Sequence, residues 1–182
     1  DFEGNGSQYI FFCNDSTHEP CSLKSNLLLP AMKGEDEIQL NIVDEDERVR
    51  THYMSFLASM KALGSYFDYL RENHVWDNTR IIVVSDHGFD FEVEDGLDLK
   101  ATMVNPILLY KDFNSNGRLT IDYTFMTNAD TLDLSKRGLD ISNINPFTGE
   151  ELKVEKDEVT IYTNGVYTVK DDIFSDSNWK LK

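Results

Sequence analysis

The sequence predicts an α/β fold: a mainly parallel sheet flanked by helices, with a small antiparallel sheet at the C-terminal end. Three observations carry that expectation. A helical stripe over residues 46–73 passes through a short turn into the apolar strand Arg80–Ser85, and helix, turn, strand is the grammar of a largely parallel sheet. A further apolar strand, "PILLYKD", follows at 106–112. Beyond it, "DEVTIYTNGVYTVKDD" sets Asn164-Gly165 between two alternating runs, the strongest short-range hairpin signal. The expected organisation is therefore an α/β part over residues 1–150 and an antiparallel hairpin subdomain over 151–182, packed on it.

In chain order, "QYIFFCN" (8–14) is rich in aromatic and β-branched residues and predicts a buried strand. "DSTHEPCSL" then predicts a loop through its Asp, Ser, Thr and Pro. The acidic run "KGEDEIQLNIVDEDE" (33–47) predicts a solvated surface connection. Over 46–73, Tyr53, Phe56, Leu57, Met60, Leu63, Phe67 and Leu70 recur at three- and four-residue steps, which makes one apolar helix face. Acidic residues at its start and Arg71 near its end suit the helix dipole. "HVWDNT" breaks that pattern and delivers the chain to the strand at 80–85, and Pro106 marks the start of the next.

The chain has 182 residues, enough for one sizeable domain, with 40% hydrophobic and 12% aromatic residues to build a core. Its formal net charge of -16 argues against nucleic acid or an anionic membrane as the main partner. An anionic substrate would then need local positive charge, from a cation or oriented donors. Two cysteines, Cys13 and Cys21, are too few for a disulfide framework and leave compartment open. No run approaches the roughly 20 apolar residues of a membrane helix. The chain begins without Met, almost directly before an apolar strand, which predicts a piece of a longer protein.

The chemistry concentrates in "RIIVVSDHGFD" (80–90), where an apolar strand runs into Asp86, His87 and Gly88. Ligands of open α/β sheets sit outside the carboxyl ends of strands, and a turn through Gly88 allows both side chains to bend to one point. A carboxylate with an imidazole is a partial ligand set for Zn²⁺ or Mn²⁺; the competing reading is a turn-forming Asp and a loop His. His18 also follows an apolar strand and joins them as a candidate, whereas His52 and His74 lie on or beside the helix and receive no role. "DFNSNGRLTIDY" (112–123) opens like an EF-hand loop, with Asp112, Asn114, Asn116, Gly117 and Leu119 in register. Its twelfth position is Tyr123, where a bidentate Glu is needed, so a turn between strands is the better reading. Cys13, His18 and Cys21 lack the paired spacing of a zinc cluster.

Taken together, "YIFFCNDSTHEP", "YFDYLRENHVWDNTRIIVVSDHG", "NPILLYKDFNSNG", "MTNAD" and "NPFTGEEL" resemble the C-terminal half of the sulfatase and phosphoglycerol transferase family. This is the branch of the alkaline phosphatase superfamily that includes the lipoteichoic acid synthases. The resemblance spans most of residues 8–152. It implies a partial alkaline phosphatase-like fold in which Asp86 and His87 bind a divalent metal (Mn²⁺, Mg²⁺, Zn²⁺ or Ca²⁺) and His18 contacts the substrate's phosphate or sulfate. In such enzymes a Thr, Ser or modified Cys attacks phosphorus or sulfur with the metal's help.

The family's nucleophile and first acidic metal ligand lie ahead of the matching region, and "MTNAD" continues "TLDL" where relatives usually carry a proline soon after the Asp. The resemblance thus implies the metal-binding half of a phosphoryl or sulfuryl transferase or hydrolase, inactive as this chain alone and partnered by the N-terminal half of the same parent domain. The parent would be an enzyme on the extracytoplasmic face of the cell membrane, acting on envelope lipid or glycan. "NPFTGEEL" and "THEP" lean toward the phosphoglycerol transferase side. Two other functions compete: a binding module that kept the fold without the chemistry, and a calcium-binding module using 112–123.

Overall fold

The computed structural model describes residues 6–18, 47–89, 101–151, 157–162 and 165–182. The chain falls into two units, Asp1–His74 and Val75–Lys182. The first is organised on helix α1, Glu47–Glu72, within one residue of the periodicity's bounds at each end. Leu70 is buried and Phe56, Leu57, Met60, Leu63 and Phe67 are half-buried, while Lys61, Ala62, Ser65 and Asp68 face solvent. One face thus faces the protein, as three- and four-residue spacing requires. At the helix end Asn73 N–H still makes the i→i−4 bond to the Tyr69 carbonyl at 3.1 Å, and its Nδ2 donates to the same oxygen at 2.8 Å. His74 then turns left-handed at φ 59°, taking the place usually given to glycine, and donates its N–H to Arg71 O.

Residues 8–14 do not form the expected strand. They belong to no ladder among the described residues, and Tyr9, Phe11 and Phe12 are 84, 77 and 69% exposed. A strand needs a neighbour to pair its backbone; here the side chains engage α1 instead. Phe12 meets Tyr66 edge-on, with ring centroids 5.4 Å apart. Ser59 Oγ gives its single hydrogen to Ser55 O at 2.9 Å, so it accepts from Asn14 Nδ2 at 3.0 Å and from Ser16 Oγ at 2.7 Å.

In the second unit, β1 (Ile81–Val84) and β2 (Leu108–Lys111) pair antiparallel, Ile81 opposite Lys111 and Val84 opposite Leu108. The expected mainly parallel sheet is not seen among the described residues, where every strand pair is antiparallel. Parallel neighbours need a long crossover, usually a helix. The described part of the 85–107 connection is instead a turn at 101–104 that returns against Gly88, leading directly into β2.

Two cations fasten the open end of this ribbon. Arg80, with 8% of its side chain exposed, donates through Nε and Nη2 to Asp112 Oδ1 at 3.0 and 2.7 Å. It also donates to the carbonyls of Ser135 and Arg137, and its guanidinium lies 4.5 Å from the Phe113 ring centre. Lys111 Nζ donates to Trp76 O, Thr79 O and Asp112 O at 2.9, 3.0 and 3.0 Å, and sits 4.5 Å from the Trp76 ring centre. All three ammonium hydrogens are thereby accounted for.

A 3-10 turn, Asn128–Asp130, leads into the short helix α2, Thr131–Lys136, which packs against β1. The C-terminal layer is the antiparallel sheet β3 (Val159–Tyr162), β4 (Val166–Val169) and β5 (Trp179–Leu181), in that order. Tyr162 faces Val166 at the hairpin end, where the alternation of the sequence placed the turn; Asn164 itself lies outside the described residues. The core here consists of Ala101, Val169 and Trp179, with Val104, Val159, Ile161, Tyr167 and Ile173 packed against it. Ala101 and Val104 come from the turn beside Gly88, so this core joins the C-terminal sheet to the turn that packs on Gly88.

Candidate functional site

Strand β1 hands the chain to Ser85 with the ladder still intact. Ser85 N–H donates to Ile107 O at 3.2 Å, and Ile107 N–H donates to Ser85 Oγ at 3.0 Å. The next peptide turns outward. Asp86 Oδ1 accepts the N–H of His87 at 2.9 Å, a bond local to the turn. The His87 ring bends back so that Nδ1 lies 2.6 Å from Gly88 O. A carbonyl oxygen only accepts, so Nδ1 carries a hydrogen, and the tautomer this selects is the one whose lone pair lies on Nε2. That arrangement, one ring nitrogen tied to a backbone carbonyl and the other turned out, is how metal-binding histidines are commonly oriented.

Nε2 then lies 3.7 Å from Asp86 Oδ2. This is too long for a hydrogen bond between them. It does suit a shared third atom: with donor distances of about 2.0–2.2 Å, a spacing of 3.7 Å corresponds to an angle of roughly 115–135° at a cation, somewhat wider than tetrahedral. The Asp86 and His87 side chains are 85 and 51% exposed, so the pair faces open solvent. The residues present therefore fit a divalent cation as two of its ligands. Among the described residues no group of three or more His, Cys, Asp or Glu converges to hold a metal.

Gly88 has a role that differs from the one its sequence position suggests. Its φ is not left-handed; what requires glycine is proximity. Its N–H donates to Met103 O at 2.8 Å, and a Cβ there would overlap Thr102 O and stand 2.9 Å from Asn105 O. The 101–105 turn is pressed directly against the backbone that carries the two candidate ligands.

A second support comes from "MTNAD". Asn128 Nδ2 donates to both Ser85 O and Asp86 O, at 2.9 and 2.8 Å. With two carbonyl oxygens in front of it, only the nitrogen end of the amide fits there. The turn bearing Asn128 is held by Asp130, a buried carboxylate whose Oδ2 accepts from Thr127 N–H at 2.6 Å and Thr127 Oγ1 at 3.0 Å. Residue type and spacing mark neither Asn128 nor Asp130 as a site residue; the signal that reaches them is "MTNAD" as part of the family resemblance.

His18, the third candidate, ends a short turn in the Asp1–His74 unit, its N–H donating to Asp15 O at 3.2 Å, and its residue is exposed. The structure thus brings Asp86 and His87 together, while His18 belongs to the other unit. Cys13 is an exposed free thiol; Cys21 lies outside the described residues. The loop at 112–123 has its first ligand positions already engaged. Asp112 is ion-paired with Arg80, Asn116 accepts from Trp76 Nε1 at 3.2 Å and donates to Asp77 Oδ1 at 2.9 Å, and Asn114 adopts a left-handed φ of 55°. Burial pushes the Asp112 carboxyl up, but the Arg80 guanidinium and the Phe113 N–H outweigh it and hold it below the ordinary carboxylate value.

No curated protein and no solved structure matches this chain. The Sulfatase family model matches residues 3–130, well over half of the sequence, and the match takes in α1, β1, Asp86, His87, β2 and the Asn128 turn. The chain belongs to the sulfatase family.

Proposed function

We propose that Asp86 and His87 are two ligands of the divalent-metal site of a sulfatase-like hydrolase or transferase whose substrate is a phosphodiester or sulfate ester. The observation that carries this is the His87 ring, with Nδ1 tied to Gly88 O at 2.6 Å and Nε2 facing Asp86 Oδ2 at 3.7 Å. Family membership supplies the reaction class. A cation bound there would lower the pKa of an attacking hydroxyl or thiol and offset charge on the transferring group. This chain's own residues do the rest: Asp86 supplies anionic charge, His87 a neutral nitrogen donor, and Gly88 O holds the tautomer that exposes it. Mn²⁺, Mg²⁺, Zn²⁺ and Ca²⁺ all remain in the reading, with Mn²⁺ and Zn²⁺ best suited to the imidazole.

By resemblance alone, His18 is assigned to contact with a substrate's phosphate or sulfate, and the nucleophile is assigned to no residue of this chain. The preferred substrate class is a phosphoglycerol-bearing lipid or glycan of the cell envelope, turned over outside the membrane. The "THEP" and "NPFTGEEL" segments support that preference by resemblance. A calcium module at 112–123 is disfavoured because Arg80 occupies the Asp112 carboxylate.

The test is residue-resolved. Mn²⁺ titrated into the ¹⁵N-labelled 182-residue chain should broaden the Ser85–Gly88 amide signals first, and Asp86→Asn or His87→Ala should abolish that response. Broadening confined to other acidic segments, or unchanged in both variants, would sink the proposal.

A further inference from the structure

Asn128 grips the backbone of the candidate ligands from a distant part of the chain. Its Nδ2 spans the consecutive carbonyls of Ser85 and Asp86 at 2.9 and 2.8 Å, from 43 and 42 residues away in sequence. Two consecutive carbonyls point the same way only where the strand has stopped alternating, so the bond pair defines the bend after β1. The bend sets where the Asp86 carboxylate and the His87 ring emerge.

We infer that Asn128 is a positioning residue: its carboxamide clamps the Ser85 and Asp86 carbonyls so that His87 Nδ1 reaches Gly88 O and Nε2 faces Asp86 Oδ2. This rests on the metal-site reading only for its consequence in binding; the clamp itself is a statement about ring orientation. The clamp is well braced. Thr127 N–H and Oγ1 both bond to the buried Asp130 carboxylate, and Thr131 Oγ1 donates to Asn128 O at 2.7 Å. On the other side, Gly88 N–H is held by Met103 O. The Asp86–His87 bend is therefore gripped on both sides.

The chemistry of the clamp requires a donor. Asn128→Asp keeps the shape but turns an anionic acceptor toward two carbonyl oxygens, so it should push the bend apart, whereas Asn128→Ala only releases it. Both variants should change the His87 ring, read by long-range ¹H–¹⁵N correlation at alkaline pH, where a free imidazole is neutral. Wild type should show the Nδ1–H tautomer alone; both variants should show a mixture, with the larger change in Asn128→Asp. Loss of a partner that orients a ligand typically weakens metal binding about 10- to 100-fold, and the Mn²⁺ response at Ser85–Gly88 should weaken by that factor.

Ser135→Ala, which removes a bond from Ser135 Oγ to Leu132 O within α2, serves as the control for general loosening. It should lower the melting temperature without moving the His87 pattern. The clamp is overturned if His87 keeps a single tautomer in both Asn128 variants, or if Ser135→Ala shifts it as much as they do. The tautomer is read without metal, so a chain whose Ser85–Gly88 signals ignore Mn²⁺ would defeat the metal reading and leave the clamp to be judged separately.

Discussion

Substituting Gly88 by alanine should damage both stability and the candidate site, and the structure sets the scale. The added Cβ would overlap Thr102 O and stand 2.9 Å from Asn105 O, both backbone atoms that cannot swing aside. Relief requires the 101–105 turn and the end of β1 to separate, which breaks the 2.8 Å bond from Gly88 N–H to Met103 O. Overpacking costs about 1–3 kcal/mol and the lost bond about 1 kcal/mol. Together these give about 2–4 kcal/mol, or a fall in melting temperature of about 5–15 °C for a chain of this size. The useful comparison is Gly64, in the middle of α1, where a Cβ meets nothing within 4 Å. There alanine should stabilise by up to about 1 kcal/mol, because helix propensity favours it over glycine. Calorimetry on the two variants should show shifts of opposite sign, and Mn²⁺ broadening at Ser85–Gly88 should weaken only in Gly88→Ala. A Gly88→Ala chain that melts within about 1 °C of the parent would refute the close-approach account.

Two further outcomes concern the Arg80 cluster. Arg80→Met keeps most of the stem that lies on Phe113 but removes the guanidinium from Asp112, which retains the Phe113 N–H, and from the carbonyls of Ser135 and Arg137. Urea melts should show a loss of about 2–3 kcal/mol, less than for a fully buried pair because Asp112 is 40% exposed. Asp112→Asn should cost less, since Arg80 keeps both carbonyl acceptors. The pH dependence follows in sign from the same pair. A carboxyl held below its ordinary value in the folded state contributes stability that is present above about pH 3.9 and lost as pH falls through the lowered value. Acid titration of the melting temperature should therefore be shallower in Asp112→Asn than in the parent below that point, and equal slopes would contradict the assignment.

Much of the local structure was legible because it is written in local periodicity. The Tyr53-to-Leu70 stripe has one compatible conformation, and α1 matches it closely. The runs at 81–84 and 108–111, and the alternation around Gly165, became strands for the same reason. Strand direction was not legible. Helix followed by strand is also compatible with an antiparallel ribbon, and the choice depends on how residues 85–107 return, which no spacing encodes. The failure at 8–14 has a related cause: aromatic content shows that a segment prefers to be covered, but not what will pair with its backbone. For the site, the residue types at Asp86 and His87 suggested ligands. The Gly88 carbonyl that fixes the ring and the Asn128 amide that fixes the bend are tertiary contacts, invisible in pattern.

The two tryptophans of the chain, Trp76 and Trp179, both fall in the Val75–Lys182 unit. Trp179 is 9% exposed with its indole N–H bonded to Ile173 O at 2.8 Å, while Trp76 lies under the Lys111 ammonium. Indole emission, excited where tyrosine does not absorb, therefore originates in one unit alone. Within that emission the dry Trp179 should emit to the blue of Trp76, whose neighbouring cation perturbs its excited state. An optical melt would follow the unit that carries Asp86 and His87, and a far-ultraviolet melt, dominated by the 26 residues of α1, would follow the other. Disagreement between the two curves would measure how independently the two units unfold.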